Sequence, residues 1–259
     1  MKKEKTKEDV IQHKKRAIRA MNSLLEKYIS TNDDDLLKKT DLLSYWIENF
    51  SAYINDEDSF EPSRLLRYRR GDVLRVNFGF RVGREFGGLH FAVVVENYNA
   101  HNASVITVIP LSSTDGRTIH PDNVDLGTEL YTKATDRQNA LKQQAMGALD
   151  EINSFIELMN DSGVDGSAKS VKSQETMKSI YQKQRYLNKI IGNLNRNSNE
   201  LAKMKSGSMA IINQITTVSK QRIYVPKKSE DFLFGVSLSD AAMDKINEKM
   251  IEKFIFKNK

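Results

Sequence analysis

The segment GREFGGLHFAVVV, residues 83–95, joins a charged, glycine-punctuated loop to an apolar run and places one histidine, His90, at the junction. An imidazole exchanges protons near neutral pH, because its unperturbed pKa is about 6.5, so His90 is a candidate acid or base. Arg81 and Arg84 in the same loop stay charged and are suited to holding an anion. Gly87 and Gly88 permit either close backbone approach to a phosphate or a tight bend. Glu85 is placed to position the loop by pairing with Arg84 or Arg70. Downstream, Ser112 follows Pro110 and Leu111 at the end of a second apolar run. There its hydroxyl can face a phosphate, or cap the turn that Ser-Ser-Thr-Asp-Gly would make. His90 can equally begin a strand and hydrogen-bond a carbonyl.

Other polar residues have weaker patterns. Arg75 and Asn77 fall on the less apolar side of an alternating stretch, where exposed polar residues usually meet only solvent. Tyr98 and Phe80 are of the type that stacks on single-stranded bases, and of the type that packs a core. His101 and His120 have no partner at metal-ligand spacing, and Asp72, Asp115, Asp122 and Asp125 form no carboxylate cluster, so neither a metal nor a cofactor is expected. No phosphate loop of the G-x-x-x-x-G-K type, dinucleotide fingerprint or G-x-S-x-G occurs, which removes the footing for nucleotide hydrolases, dehydrogenases and α/β-hydrolases.

The elements that must position these residues follow from periodicity. Leu74, Val76 and Phe78 alternate with Val73, Arg75 and Asn77, and HFAVVVE and SVITVIPL are short β-branched runs across NYNAHNA, which predicts strand, turn, strand. The continuous run Ala92 to Val95 suggests a strand buried on both faces. SMAIINQITTVSKQRIYVP adds two strands around a turn near Thr217 to Ser219. Helical stripes run from Val10 to Tyr28, from Leu36 to Ile54, and over Ala242, Met243, Ile246, Met250, Ile251 and Phe254, the last behind a capping box at Ser237 and Asp240. Between the strand blocks, Leu141, Ala145, Ala148, Ile152, Phe155 and Met159 step by four and three. Met177, Ile180, Gln184, Leu187, Ile191, Leu194, Ser198 and Leu201 do the same after the break NDSGVDGS. The pattern predicts an inserted antiparallel coiled-coil hairpin. The expected organisation is a helical extension over 1–63, a β domain over 64–130 and 206–259, and the hairpin over 131–205.

The 259 residues include 39% hydrophobic and 29% charged positions, 13 Gly and only 4 Pro, as expected of a folded, helix-rich chain. The absence of Cys rules out disulfides and thiolate metal sites. No apolar run approaches the roughly 20 residues of a membrane span, and MKKEKTKEDV has no apolar signal core, so a cytoplasmic protein with no membrane partner is expected. A formal charge of +6 is compatible with RNA without requiring it.

Four blocks, RRGDVLRVNFG, GREFGGLHFAVVV, VIPLSS and QITTVSKQRI, resemble in order and spacing the MazF/PemK toxins of bacterial toxin-antitoxin pairs. The resemblance covers roughly residues 68–130 and 206–256. It implies an α+β fold: a small curved antiparallel sheet or SH3-like barrel with a C-terminal helix. It also implies a metal-independent endoribonuclease acting on single-stranded RNA, a homodimer, and a separate antitoxin protein or other inhibitor. In that family the RNA 2′-hydroxyl is the nucleophile, so the protein supplies proton transfer and anion support. The family commonly has arginine where this chain has His90, and Ser or Thr where it has Ser112. The resemblance makes His90, Ser112 and Arg84 the candidate catalytic set, with Arg84 or Arg81 taking the charge of the missing arginine. Arg81, Gly87, Gly88, Arg75, Asn77, Gln214 and Thr217 are the candidate substrate contacts, although the segment of Gln214, Thr217, Lys220 and Arg222 is in the family mainly a packing and dimer element. The same fold is thought to include non-catalytic toxins that act by binding, such as gyrase inhibitors, and the exchange of arginine for His90 suits that alternative too.

Overall fold

The computed structural model of the chain describes residues 5–114, 116, 118–161 and 171–255. It divides into two compact units, Met1–Ser59 and Phe60–Lys259. The first is a pair of packed helices, α1 (Lys7–Ile29) and α2 (Asp34–Asn55). Thr6 and Asp9 close a capping box on α1, the Asp9 amide donating to Thr6 Oγ1 at 3.2 Å and the Thr6 amide to Asp9 Oδ2 at 2.9 Å. Asp33 accepts from the amides of Asp35 and Leu36 and so starts α2. Within the two helices only Thr40 and Leu43 are buried; Ile18, Tyr45 and Phe50 stay exposed.

The second unit is a seven-stranded sheet among the described residues. Its strands are β1 (Val73–Asn77), β2 (Leu89–Val94), β3 (Val105–Ser113), β4 (Val124–Gly127), β5 (Ser208–Ala210), β6 (Thr216–Ser219) and β7 (Ile223–Val225). Their order is β4-β5-β3-β2-β1-β7, with β6 also on β3, and all pairings are antiparallel. The sheet is open, which corrects the barrel alternative. The nine-residue β3 accounts for the layout: its first part pairs with β2 and β6, and its last three residues pair with β5.

Ala92, Val93, Val94 and Val95 are buried, as their continuous apolar run predicts. The alternation assigns Leu74, Val76, Phe78, Ala92 and Val94 to one core, and Val73, Val93, Ile109 and Leu111 to the other. Each of these side chains except Ala92 contributes roughly 1.5–3 kcal/mol by leaving water. The second core is closed by Ala242, Met243 and Ile246 of α5 (Asp240–Phe254), while Ile251 and Phe254 of the predicted stripe are exposed.

Two helices, α3 (Glu129–Asp161) and α4 (Val171–Ala202), pack together between β4 and β5. Leu130 and Ala134 anchor the base in the sheet core, and Ala145, Leu187 and Ile190 form a separate cluster further out. The buried Gln138 amide donates to the Leu194 carbonyl at 3.2 Å and to Ser198 Oγ at 2.9 Å, tying the helices together. The seam on α4 differs from the expected one: Ile190 is buried whereas Ile191 and Gln184 are exposed. The side chains of Phe155, Met159 and Met177, and the break NDSGVDGS beyond Asp161, lie outside the described residues.

Three further expectations are corrected. Thr217 to Ser219 is not a turn; it belongs to β6, and the chain turns through a 3-10 segment at Lys220–Arg222, giving three late strands rather than two. The cap of α5 is Ser239, whose Oγ accepts from the Ala242 amide at 3.2 Å; Ser237 instead donates to Asp72 Oδ1 at 2.5 Å. The four-residue β4 has no counterpart in the expected strands. No helix among the described residues is long and apolar enough to cross a membrane.

Candidate active site

The β1–β2 loop is held shut by its own backbone. The Phe78 amide donates to the Gly88 carbonyl and the Gly88 amide to the Gly79 carbonyl, both at 2.8 Å. Only glycine fits at the closure: a Cβ on Gly87 would lie 2.7 Å from the Gly79 oxygen, and Gly88 has a φ of +87°. Asn77 Oδ1 accepts from the Gly79 amide at 3.0 Å, and Arg81 Nε donates to the Phe78 carbonyl at 2.8 Å. Glu85 pairs with neither Arg84 nor Arg70 here; its carboxylate accepts from the Val82 amide, and Arg70 bonds the Val95 carbonyl and Asn247.

This loop delivers Phe86 onto His90. The two rings have centroids 4.5 Å apart, and Phe86 also meets Phe78 edge-on at 5.6 Å. Gln214 fixes Phe86 from the other side of the fold, its Oε1 accepting the Phe86 amide at 3.2 Å. Gln214 is thereby a positioning residue for the loop. His90 is half-buried, and its pKa is lowered below 6.5, chiefly by burial and then by the Arg75 charge, with a hydrogen bond to the Gly87 backbone acting in the opposite direction.

His90 and Ser112 come together through strand register. Ala92 faces Pro110 in the last recorded β2–β3 pair, and His90 and Ser112 each lie two residues beyond it on their own strands. At that point β3 leaves β2 for β5, Ser112 pairing with Met209, so the strands part and leave a notch. A cavity of about 190 Å³ opens there, with Arg75, His90, Phe91, Ser112, Lys203 and Lys205 in its wall. Arg75 carries a cation between two aromatic faces, 5.7 Å from the Phe91 centroid and 5.8 Å from that of Tyr224, and is ion-paired with Glu200 of α4.

Residues 69–154 match the family model of PemK-like, MazF-like toxins of type II toxin-antitoxin systems. In that segment the chain is similar to the PemK/MazF-like toxins. No curated protein matches it. The matched segment holds His90 and Ser112 and runs into α3, while the Gln214 block lies beyond it in sequence and beside it in the sheet.

The other expected residues are distributed unevenly around the notch. Arg84 is exposed at the loop tip and, like Arg81, lies outside the cavity wall; the cations that line it are Arg75, Lys203 and Lys205. Gly87, Gly88, Asn77 and Gln214 shape the loop. Thr217 meets Thr107 Oγ1 at 3.0 Å on β6, away from the notch. Lys220 is buried and donates to the carbonyls of Ala100 and His101, holding the β2–β3 loop, which also carries the exposed Tyr98. His101 binds the Leu65 carbonyl at 2.8 Å, and His120 bonds with its neighbour Asp122. Asp115 lies outside the described residues. Lys203 and Lys205 escaped the sequence reading; the only signal for them is the run LAKMKSG, which joins the hairpin to β5.

Proposed function

We propose that the toxin domain is an endoribonuclease that cleaves single-stranded RNA by transesterification without a metal ion. The observation that carries this reading is the notch where β2 and β3 part, because it brings a neutral imidazole, a hydroxyl and three cations to one cavity wall. In the proposed step, unprotonated His90 accepts the proton of the RNA 2′-hydroxyl, whose oxygen attacks the adjacent phosphorus. Ser112 donates a hydrogen bond to a non-bridging phosphoryl oxygen, and Arg75 stabilises the extra negative charge of the phosphorane. The bond from phosphorus to the 5′-oxygen breaks and that oxygen takes a proton from water while His90 returns its own to solvent, leaving a 2′,3′-cyclic phosphate and a 5′-hydroxyl. The expected setting is that of a type II pair, in which a separate antitoxin protein restrains a cytoplasmic, homodimeric toxin.

One observation favours a non-catalytic toxin instead: the His90 ring lies in tilted contact with Phe86, as a packing residue would. One experiment separates the two. Purified protein and His90→Ala are incubated with a long single-stranded RNA in EDTA, and cut positions and end groups are mapped. Cleavage with 5′-hydroxyl ends that falls at least a hundredfold in the variant is expected for a general base. Intact RNA with the unaltered protein assigns the domain to binding alone.

A further inference from the structure

A second cavity, of about 620 Å³, adjoins the candidate active site and shares Arg75 and Lys203 with it. One wall is α4. Lys189 and Arg196 lie seven residues apart there, on one side of the helix over about 10 Å, and Lys203 follows just past its end. Across from them stand Tyr224 on β7 and Lys227 and Lys228 just after it. The lining has six cations against two carboxylates, Glu200 and Asp231. Two of the cations are already paired, Arg75 with Glu200 and Lys189 with Glu230.

Two donors in this wall lack acceptors. Asn197, only 8% exposed, has a buried Nδ2 with no hydrogen-bond partner, and Arg75 Nε is in the same state. Buried donors are rarely left unsatisfied, so both mark a place for an acceptor-rich ligand. The exposed Tyr224 ring, on which Arg75 rests, offers a stacking face.

We infer that the cleft between α4 and β7 binds the sugar-phosphate backbone of RNA flanking the scissile nucleotide, so that the inserted hairpin is part of the substrate track. Multiple cations, orphaned donors and one aromatic are what a single strand requires, whereas a protein segment would need apolar anchors that this mainly polar wall provides poorly. The inference rests on the RNA reading of the neighbouring site.

The test uses the full chain and Arg196→Glu combined with Lys228→Glu, two exposed positions outside the notch, beside Asn197→Asp as a near-isosteric second variant. Binding is measured across salt concentrations to a long single-stranded RNA carrying a 2′-deoxy sugar at the cleavage position, and cleavage is measured on a dinucleotide. The double variant is expected to lose on the order of tenfold or more in long-RNA affinity, and its log–log salt slope is expected to shrink by about 0.7 for each phosphate contact removed. Dinucleotide cleavage stays unchanged, and Asn197→Asp weakens the long RNA alone. Long-RNA affinity that is unaltered in both variants overturns the inference. So does loss of polyglutamate binding with RNA binding retained, which assigns the cleft to an acidic protein. If the unaltered chain cuts no RNA, the nuclease reading fails, and the binding data still decide the cleft.

Discussion

His90 sits where burial and a neighbouring guanidinium both oppose its protonated form. A residue in that state is ready as a base at neutral pH. The acidic limb of the rate profile is therefore expected to have its midpoint below 6.5, with activity rising as pH increases through it and holding above. Arg75→Ala removes one of the two causes and leaves Glu200 unpaired nearby, so the midpoint moves upward, toward or past 6.5. A kcat/KM profile of both proteins on a dinucleotide checks the shift; an unmoved midpoint means that His90 is not the titrating group. The histidine was legible in the sequence because a titratable ring between Gly-Gly and an apolar strand is conspicuous. Two of its three cations were not. The loop arginines are nearest along the chain, but Arg81 is spent on the Phe78 carbonyl and Arg84 stands outside the wall, while Lys203 and Lys205 arrive from more than a hundred residues away.

At the scale of elements, the site depends on how tightly the β1–β2 loop closes. Gly87→Ala puts a methyl group 2.7 Å from the Gly79 oxygen, so the loop must open. The expected cost is about 1–3 kcal/mol, visible as a lower urea midpoint, with a larger fractional loss of cleavage because Phe86 no longer covers His90. Strands β1, β2 and β3 could be read from their alternation, since each lies between two packed faces. By contrast, β4 has four residues and owes its form to pairing with β5, which no local pattern records. The slip from Ile191 to Ile190 has a different origin. Leu187, Ile190, Leu194, Asn197 and Leu201 are buried or half-buried and still step by three and four, so the heptad holds, but two adjacent isoleucines give the apolar pattern no means to choose which one faces α3. The cap at Ser239 rather than Ser237 reflects a competition: Asp72 takes the Ser237 hydroxyl, and two residues later the chain turns into α5.

For the whole molecule, β4 and β5 lie side by side although α3 and α4 separate them in the chain. The two ends of that long excursion are thus held by the sheet, and by Leu130, Ala134 and the Gln138 bonds, without help from the far end of the helices. Severing the chain between α3 and α4 leaves every described strand pairing intact but spreads the chemistry over two polypeptides: His90 and Ser112 on one, Gln214, Lys203 and Lys205 on the other. Co-production of residues 1–161 and 171–259 is expected to restore RNA cleavage and growth arrest that neither piece gives alone. On the proposed reading, a toxin with its working parts so divided is a ready-made two-input switch, harmless in a cell that makes one half and active where both halves meet.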